Sequence, residues 1–203
     1  MLVRFLSLIA VGCCVSLVAA GEYNPVKSVG DKAPAWNDLP GVDGKEHSLT
    51  DLAAKDVVVV AFTCNTCPYA VDYEQRLKQL GQKYAAADSR VAVVAINCNR
   101  TEEDSLDAMK DRAKERNFAF AYLSDLSQES GKQFGATRTP EFFVLNKRRE
   151  IVYMGALDDS TDVDKAKTNY VQLAIDAALK GELPEKTETI PIGCNIRYKR
   201  SRR

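Results

Sequence analysis

Histidine and tryptophan are almost missing from this chain: His47 and Trp36 are the only ones among 203 residues. Beyond residue 20 there is also only one close cysteine pair, so the roughly four ligands of a structural zinc site are not offered at any familiar spacing. A covalent c-type haem is excluded as well, because it needs histidine directly after the second cysteine, and Pro68 stands there. Net charge is absent: 28 Lys and Arg balance 28 Asp and Glu, so the whole chain does not argue for a polyanionic partner. After Ala20 no run reaches the roughly 20 apolar residues that cross a bilayer. Internal repeats and low-complexity linkers are lacking too, and 45% hydrophobic content is ordinary for a chain that builds a core. Length then reads as one domain with appendages. Trp36 reads as core, and His47, in a polar turn, as solvent-exposed.

What is present begins with a leader. Arg4 supplies a short positive region, Phe5 to Val18 is almost wholly apolar, and Val18-Ala19-Ala20 ends in small residues. Residues 1–20 read as a secretory signal peptide cleaved after Ala20. The alternative is an uncleaved membrane anchor, for which the apolar run is short. A lipoprotein acylated at Cys13 would need leucine where Ala10 stands. The expected location is therefore periplasmic or extracellular, where disulfides persist, with membrane anchoring as the alternative. Cys64, Cys67, Cys98 and Cys194 remain after cleavage, and sequence alone cannot choose among their pairings.

Residues 21–32 read as a polar, mobile lead-in and residues 33–183 as the folded domain. Gly41 to Lys45 is a hairpin tip, and Ser48 caps a helical turn through Leu52. Val57 to Thr63 is continuous β-branched and apolar sequence, the mark of a strand buried on both faces. Ala70, Tyr73, Leu77, Leu80 and Tyr84 then recur at helical spacing. A second buried strand runs from Arg90 to Asn97, followed by a helix from Thr101 to about Arg116 with acids in its first turn. Phe118–Leu123 (strand), Ser127–Phe134 (helix), a hairpin of Glu141–Leu145 with Ile151–Met154, and a helix from Val163 to Lys180 complete the order. Alternation implies a parallel core, and the hairpin adds antiparallel strands: an α/β fold with a central mixed β-sheet flanked by helices. Asp158-Asp159 reads as a cap for the last helix, with a place lining the rim as the alternative. Residues 184–203 read as a solvated tail carrying Cys194 and the basic cluster Arg197, Lys199, Arg200, Arg202 and Arg203.

Chemistry concentrates in Cys64-Asn65-Thr66-Cys67-Pro68, between a buried strand and a helix start. The helix N-terminus offers unpaired N–H donors and roughly half a positive charge, which stabilise the reactive thiolate. The pair reads as a redox-active dithiol, with a permanent staple as the bland alternative. Thr139-Pro140 opens the strand before the hairpin; a cis peptide there would place backbone beside the sulfurs, where substrate could pair with it. Cys98 ends the second buried strand and reads as a small buried apolar residue or a thiol at the same rim. Cys194 either pairs with Cys98 or acts as an extra resolving thiol.

Taken together, Val29-Gly30-Asp31-Lys32-Ala33-Pro34, Phe62-Thr63-Cys64-Asn65-Thr66-Cys67-Pro68-Tyr69, Thr139-Pro140-Glu141-Phe142-Phe143, Tyr153-Met154-Gly155-Ala156-Leu157-Asp158-Asp159 and Ile192-Gly193-Cys194-Asn195-Ile196 resemble the thioredoxin-like superfamily. The resemblance is to its peroxiredoxin-like branch of alkyl hydroperoxide reductases and redoxins. It implies a thioredoxin-like fold and an oxidoreductase without organic cofactor or metal. Substrates would be protein or small-molecule disulfides or hydroperoxides, and a thiol partner would restore the reductant; nucleic acid is not expected. As a thiol–disulfide oxidoreductase, the favoured reading, Cys64 attacks and Cys67 resolves, with Thr139 and Pro140 binding substrate. As a peroxidase, Cys67 takes the peroxidatic place and Cys64, Cys98 or Cys194 resolves it. Departures from the branch bear on both roles: Cys64 stands where peroxiredoxins have threonine, Pro140 falls near their arginine with Arg138 close by, and Thr66 replaces a histidine. A rival from another class is a copper-chaperone-like module of the same fold, which lacks its distant histidine here.

Overall fold

The computed structural model describes residues 20–199. The expected signal segment, apart from Ala20, and Arg200, Arg202 and Arg203 of the basic cluster lie outside the described residues.

A short antiparallel hairpin, β1 (Leu39–Pro40) and β2 (Glu46–His47), brackets the predicted turn, where Gly44 takes a positive φ of 79°. His47 is half-buried rather than free in solvent, and its ring nitrogen sits 3.0 Å from Asp43. The Ser48 N–H donates to Asp51 at 2.7 Å and starts a 3-10 turn over Leu49–Leu52. Next come β3 (Val57–Phe62), α1 (Pro68–Lys83), β4 (Val91–Asn97), α2 (Leu106–Arg116), β5 (Ala121–Ser124) and α3 (Glu129–Phe134). A two-residue strand β6 (Arg138–Thr139), the hairpin β7 (Glu141–Leu145) and β8 (Ile151–Gly155), α4 (Tyr170–Lys180) and another two-residue strand, β9 (Cys194–Asn195), finish the chain.

The main sheet runs β5-β4-β3-β7-β8, parallel among β3, β4 and β5 and antiparallel across β3–β7 and β7–β8. Every residue of β3 is buried, because its alternate side chains enter two separate cores. Val57, Val59 and Ala61 meet Tyr73, Leu77 and Leu80 of α1, Met109 of α2, and Val171, Ala174 and Ile175 of α4. Val58, Val60 and Phe62 meet Trp36, Leu49, Phe134 and Ile196. Helices therefore cover both faces, and the C-terminal ends of β3 and β4 open on one rim.

Several boundaries differ from expectation. The acids after Thr101 form a separate 3-10 turn, Glu102–Asp104, because Asp104 points inward; α2 starts afresh with Ser105, whose Oγ accepts from the Ala108 N–H. Strand β5 starts at Ala121, since Phe118 and Phe120 stack on each other 4.7 Å apart before it. Helix α4 starts at Tyr170, not Val163: Asn169 accepts from the Gln172 N–H at 2.8 Å, and Val163 is exposed with no face to cover. Asp158 does not cap α4. It is buried and accepts from Arg76 at 2.6 Å and from the Tyr73 hydroxyl at 3.0 Å, tying α1 to the loop after β8.

The two appendages are more ordered than their polarity suggests. In the lead-in, buried Asn24 donates to Phe134 O and accepts from the Val26 and Lys27 N–H groups, and the Gly30 N–H reaches Ile151 O at 2.8 Å. In the tail, β9 pairs with β6, Ile196 enters the core and the Tyr198 hydroxyl donates to Ala136 O. Burial of one such apolar side chain is worth about 1.5–3 kcal/mol, enough to hold a short segment whose composition is otherwise polar. Among the described residues no helix is long and apolar enough to cross a membrane.

Candidate active site

Strand β3 hands the chain to α1 through the two cysteines. The Thr63 N–H still bonds Ile96 O at 3.0 Å, so Cys64 leaves the sheet edge only 2% exposed. Cys67 is the N-cap of α1, in extended backbone, and Pro68 takes the first helical position, where a missing N–H costs little. Asn65 and Thr66 between them are pinned by Asp104. Its Oδ1 accepts from the Asn65 N–H at 2.6 Å and the Asn97 amide at 2.9 Å. Its Oδ2 accepts from the hydroxyls of Thr66 at 2.8 Å and Thr101 at 3.2 Å, and from the Asn99 amide at 3.1 Å. Tyr122, buried beneath, donates to Asn65 Oδ1 at 2.9 Å. A buried carboxylate surrounded by donors alone rigidifies the loop that spaces the two sulfurs.

Thr139 touches both sulfurs. Its hydroxyl lies 3.4 Å from Cys64 Sγ and its carbonyl oxygen 3.0 Å from Cys67 Sγ. The Thr139-Pro140 peptide is cis. The next residue, Glu141, is buried and accepts from the Thr137 N–H at 2.7 Å and the Arg138 N–H at 3.0 Å, which fixes the turn into β7. Burial pushes its carboxyl up to about 7, against the pull of those donors.

The disulfide joins Cys67 to Cys194, with their Cα atoms 5.9 Å apart. The Cys194 N–H also points at Cys67 Sγ, 3.3 Å away. Cys64 and Cys98 are free and buried. Cys194 therefore does not pair with Cys98, one of the two arrangements expected for it. The reason is the sheet: Cys98 packs with Phe134 and Ile196 on one face, 3.7 Å from Asp125 and 3.9 Å from Ser130, whereas Cys64, Cys67 and Cys194 cluster at the rim. Burial and the Asp125 charge push the Cys98 thiol far up, so it stays protonated. Burial also raises the Cys64 thiol, and the Asp104 charge adds to it, outweighing the Thr139 hydrogen bond. At Cys64 desolvation thus overrides the thiolate stabilisation expected of a helix start. Arg138 donates to Asn195 Oδ1. Among the described residues no three His, Cys, Asp or Glu side chains converge to hold a metal.

Asp104 and Glu141 are the site residues that sequence reasoning missed. Asp104 looked like one more helix-start acid, and Glu141 like the first residue of a strand; neither carries a local signal that its side chain turns inward.

A central mixed sheet flanked by helices, with cysteines at the strand–helix junction opposite a cis-proline loop, defines a thioredoxin-like thiol oxidoreductase. Residues 28–171 match the redoxin family, and the chain belongs to it. It is similar to the crystal structure of an uncharacterized conserved protein from Geobacillus kaustophilus, at 34% identity and a TM-score of 0.79, with 88% of this chain and 96% of that one covered. It is also similar to a hypothetical protein from Sinorhizobium meliloti 1021, at 31% identity and the same TM-score of 0.79, covering 88% of this chain and 98% of that one. A peroxidoxin from Mycobacterium tuberculosis, at 21% identity, TM-score 0.55 and coverage of 75% and 94%, shares the fold. No curated protein matches the sequence.

Proposed function

We propose that this redoxin is an exported thiol–disulfide oxidoreductase in which Cys67 forms the bond to substrate and Cys64 resolves it. The carrying observation is that Cys194, entering alongside Thr139, is joined to Cys67 and not to Cys64. A substrate cysteine arriving by that route meets the same sulfur. This reverses the roles assigned from the order of the cysteines along the chain.

In the reduced protein the Cys67 thiolate, at the N-cap of α1, attacks one sulfur of a substrate disulfide. A Cys67–substrate bond forms and the other substrate sulfur leaves as a thiolate, which takes up a proton. Cys64 then loses its proton and attacks Cys67; the Cys64–Cys67 bond forms and the second substrate thiol departs. Two electrons pass from the dithiol to the substrate, and a thiol partner returns them. The Cys67–Cys194 bond enters the same cycle by exchange: Cys64 attacks Cys67, Cys194 leaves and takes the proton. Burial raises the Cys64 thiol, so it is mostly protonated until it attacks; the sulfur it attacks is close by, since Thr139 has its hydroxyl 3.4 Å from Cys64 Sγ and its carbonyl oxygen 3.0 Å from Cys67 Sγ.

A second reading is favoured by the same disulfide. Peroxide would oxidise Cys67 to a sulfenic acid, and Cys194 would condense with it and release water. Against it, the partners of Cys67 Sγ are the Thr139 carbonyl and the Cys194 N–H, while Arg138 is engaged with Asn195. Insulin reduction and peroxide consumption assayed side by side separate the two. Turnover of insulin that is lost in Cys67→Ser is expected; rapid peroxide loss without insulin reduction would establish the second reading instead.

A further inference from the structure

The tail lies where a substrate should. β9 pairs antiparallel with β6, placing Cys194 across from Thr139 and Asn195 across from Arg138, and Cys194 is at the same time bonded to Cys67. We propose that residues 190–195 are an internal ligand occupying the docking groove of the active site, and that the external ligand it stands in for is an extended peptide with glycine immediately before its cysteine. This rests on the thiol-exchange reading above.

Space next to Thr139 carries the glycine requirement. A Cβ built on Gly193 would fall 2.2 Å from Thr139 O, 2.5 Å from Thr139 C and 3.0 Å from Pro140 N. All three are backbone atoms beside the reacting sulfurs, so they cannot swing aside as a side chain would. Any strand that pairs with Thr139 in this register needs the same absence of a side chain one residue before its cysteine. One residue after it, Asn195 Oδ1 accepts from the Arg138 guanidinium, so an amide or carboxylate oxygen suits that place.

The way the segment is tethered fits a removable occupant. On one side Thr189 is buried and its Oγ1 accepts from the Ala156 N–H at 2.9 Å. On the other, Ile196 is buried and its N–H reaches Thr137 O at 3.0 Å. Between these anchors Ile190 is 62% exposed, Ile192 39% exposed, and Asn195 is on the surface. Breaking the Cys67–Cys194 bond can therefore let residues 190–195 bulge outward without dismantling either core. The vacated edge of β6 then accepts a peptide by strand addition. Transfer is balanced: the Cys67 thiolate attacks the peptide's disulfide sulfur, the Cys67–peptide bond forms, and the former partner of that sulfur leaves as a thiolate.

The test uses the full chain with Cys64→Ser and Cys194→Ser, so that an adduct is neither resolved nor displaced by the tail. The probe is the octapeptide Ile-Pro-Ile-Gly-Cys-Asn-Ile-Arg, its cysteine carried as the mixed disulfide with thionitrobenzoate. Release of the coloured thiolate gives the rate, intact mass counts the adducts, and mapping of a non-reduced digest places the adduct at Cys67 rather than at another cysteine. The glycine peptide should react at least tenfold faster than the same peptide with alanine or valine in place of its glycine. Equal rates for the three, with insulin still reduced by the unmodified protein, would overturn the docking proposal and leave the oxidoreductase reading standing. No adduct with any peptide and no insulin reduction would remove both. A second measurement needs no variant. Hydrogen exchange across residues 190–195 should accelerate at least tenfold when the unmodified protein is reduced, while Thr189 and Ile196 stay protected. Unchanged exchange would make the segment a fixed strand and overturn the proposal.

Discussion

Asp104→Asn is the sharpest probe of how the site is held. The carboxylate, 1% exposed, takes five hydrogen bonds, all from donors. Asparagine keeps the size but offers one oxygen and one NH2, so only one side of the cluster stays satisfied. The oxygen should turn toward the Asn65 N–H and the buried Asn97 amide, which have least access to water. The new NH2 then faces the Thr66 and Thr101 hydroxyls, which can accept or turn to solvent, and the Asn99 amide, which meets donor with donor. Losing charge assistance on the two inner bonds and one outer bond outright amounts to about 2–4 kcal/mol. At roughly 2–4 °C per kcal/mol for a domain of this size, the melting temperature should drop by about 4–16 °C. The same change removes the negative charge that adds to the burial-raised Cys64 thiol, so that thiol should titrate at lower pH. Alkylation of Cys64 followed against pH, with Cys67–Cys194 left oxidised, reads this out. Loosening of the loop would raise the plateau rate, whereas the charge effect moves the midpoint, so the two are separable. A melting temperature within about 1 °C of the parent, or a midpoint that stays put or rises, would refute the reasoning.

Two further predictions follow from buried ionisable groups. Glu141 titrates at about 7 in the folded protein against an ordinary carboxyl value of 4.5, so the folded state binds its proton more tightly than the unfolded chain does. Stability from this group is fully present below about pH 4.5 and falls as pH rises toward 7, by up to about 3 kcal/mol; denaturant titrations at stepped pH should show that slope, and Glu141→Gln should flatten it. Arg76→Met leaves Asp158, 4% exposed at its side chain, with the Tyr73 hydroxyl as its remaining hydrogen-bond donor. Stability should fall by about 3–5 kcal/mol, and adding Asp158→Leu should recover most of it, since a buried pair can be replaced by apolar packing more cheaply than broken.

Much of the fold could be read from local pattern. The β-branched run of β3, the helical stripe from Ala70 to Leu80 and the glycine stops at Gly135 and Gly181 all appear where periodicity and capping put them. Where pattern reading failed, a local cap or long-range contacts were in control. Val163 to Asn169 is polar enough for an exposed helix, yet capping by Asn169 shortens α4. The lead-in and the tail read as loose because each contributes only a few anchoring side chains, such as Asn24 and Ile196, and single anchors leave no periodic trace.

The linear order of residues was sufficient to place two cysteines at a strand–helix junction and a Thr-Pro step before the hairpin, because backbone preferences and hydrophobic spacing act between near neighbours. It could not say which sulfurs meet. Cys98 and Cys194 stand on opposite sides of that question only because adjacent strands send side chains into different cores, and because β9 returns to β6 across more than fifty residues of intervening chain. The Cys67–Cys194 bond, the inward turn of Asp104 and the glycine-sized gap at Thr139 all depend on distances between segments remote in sequence, and packing alone sets those.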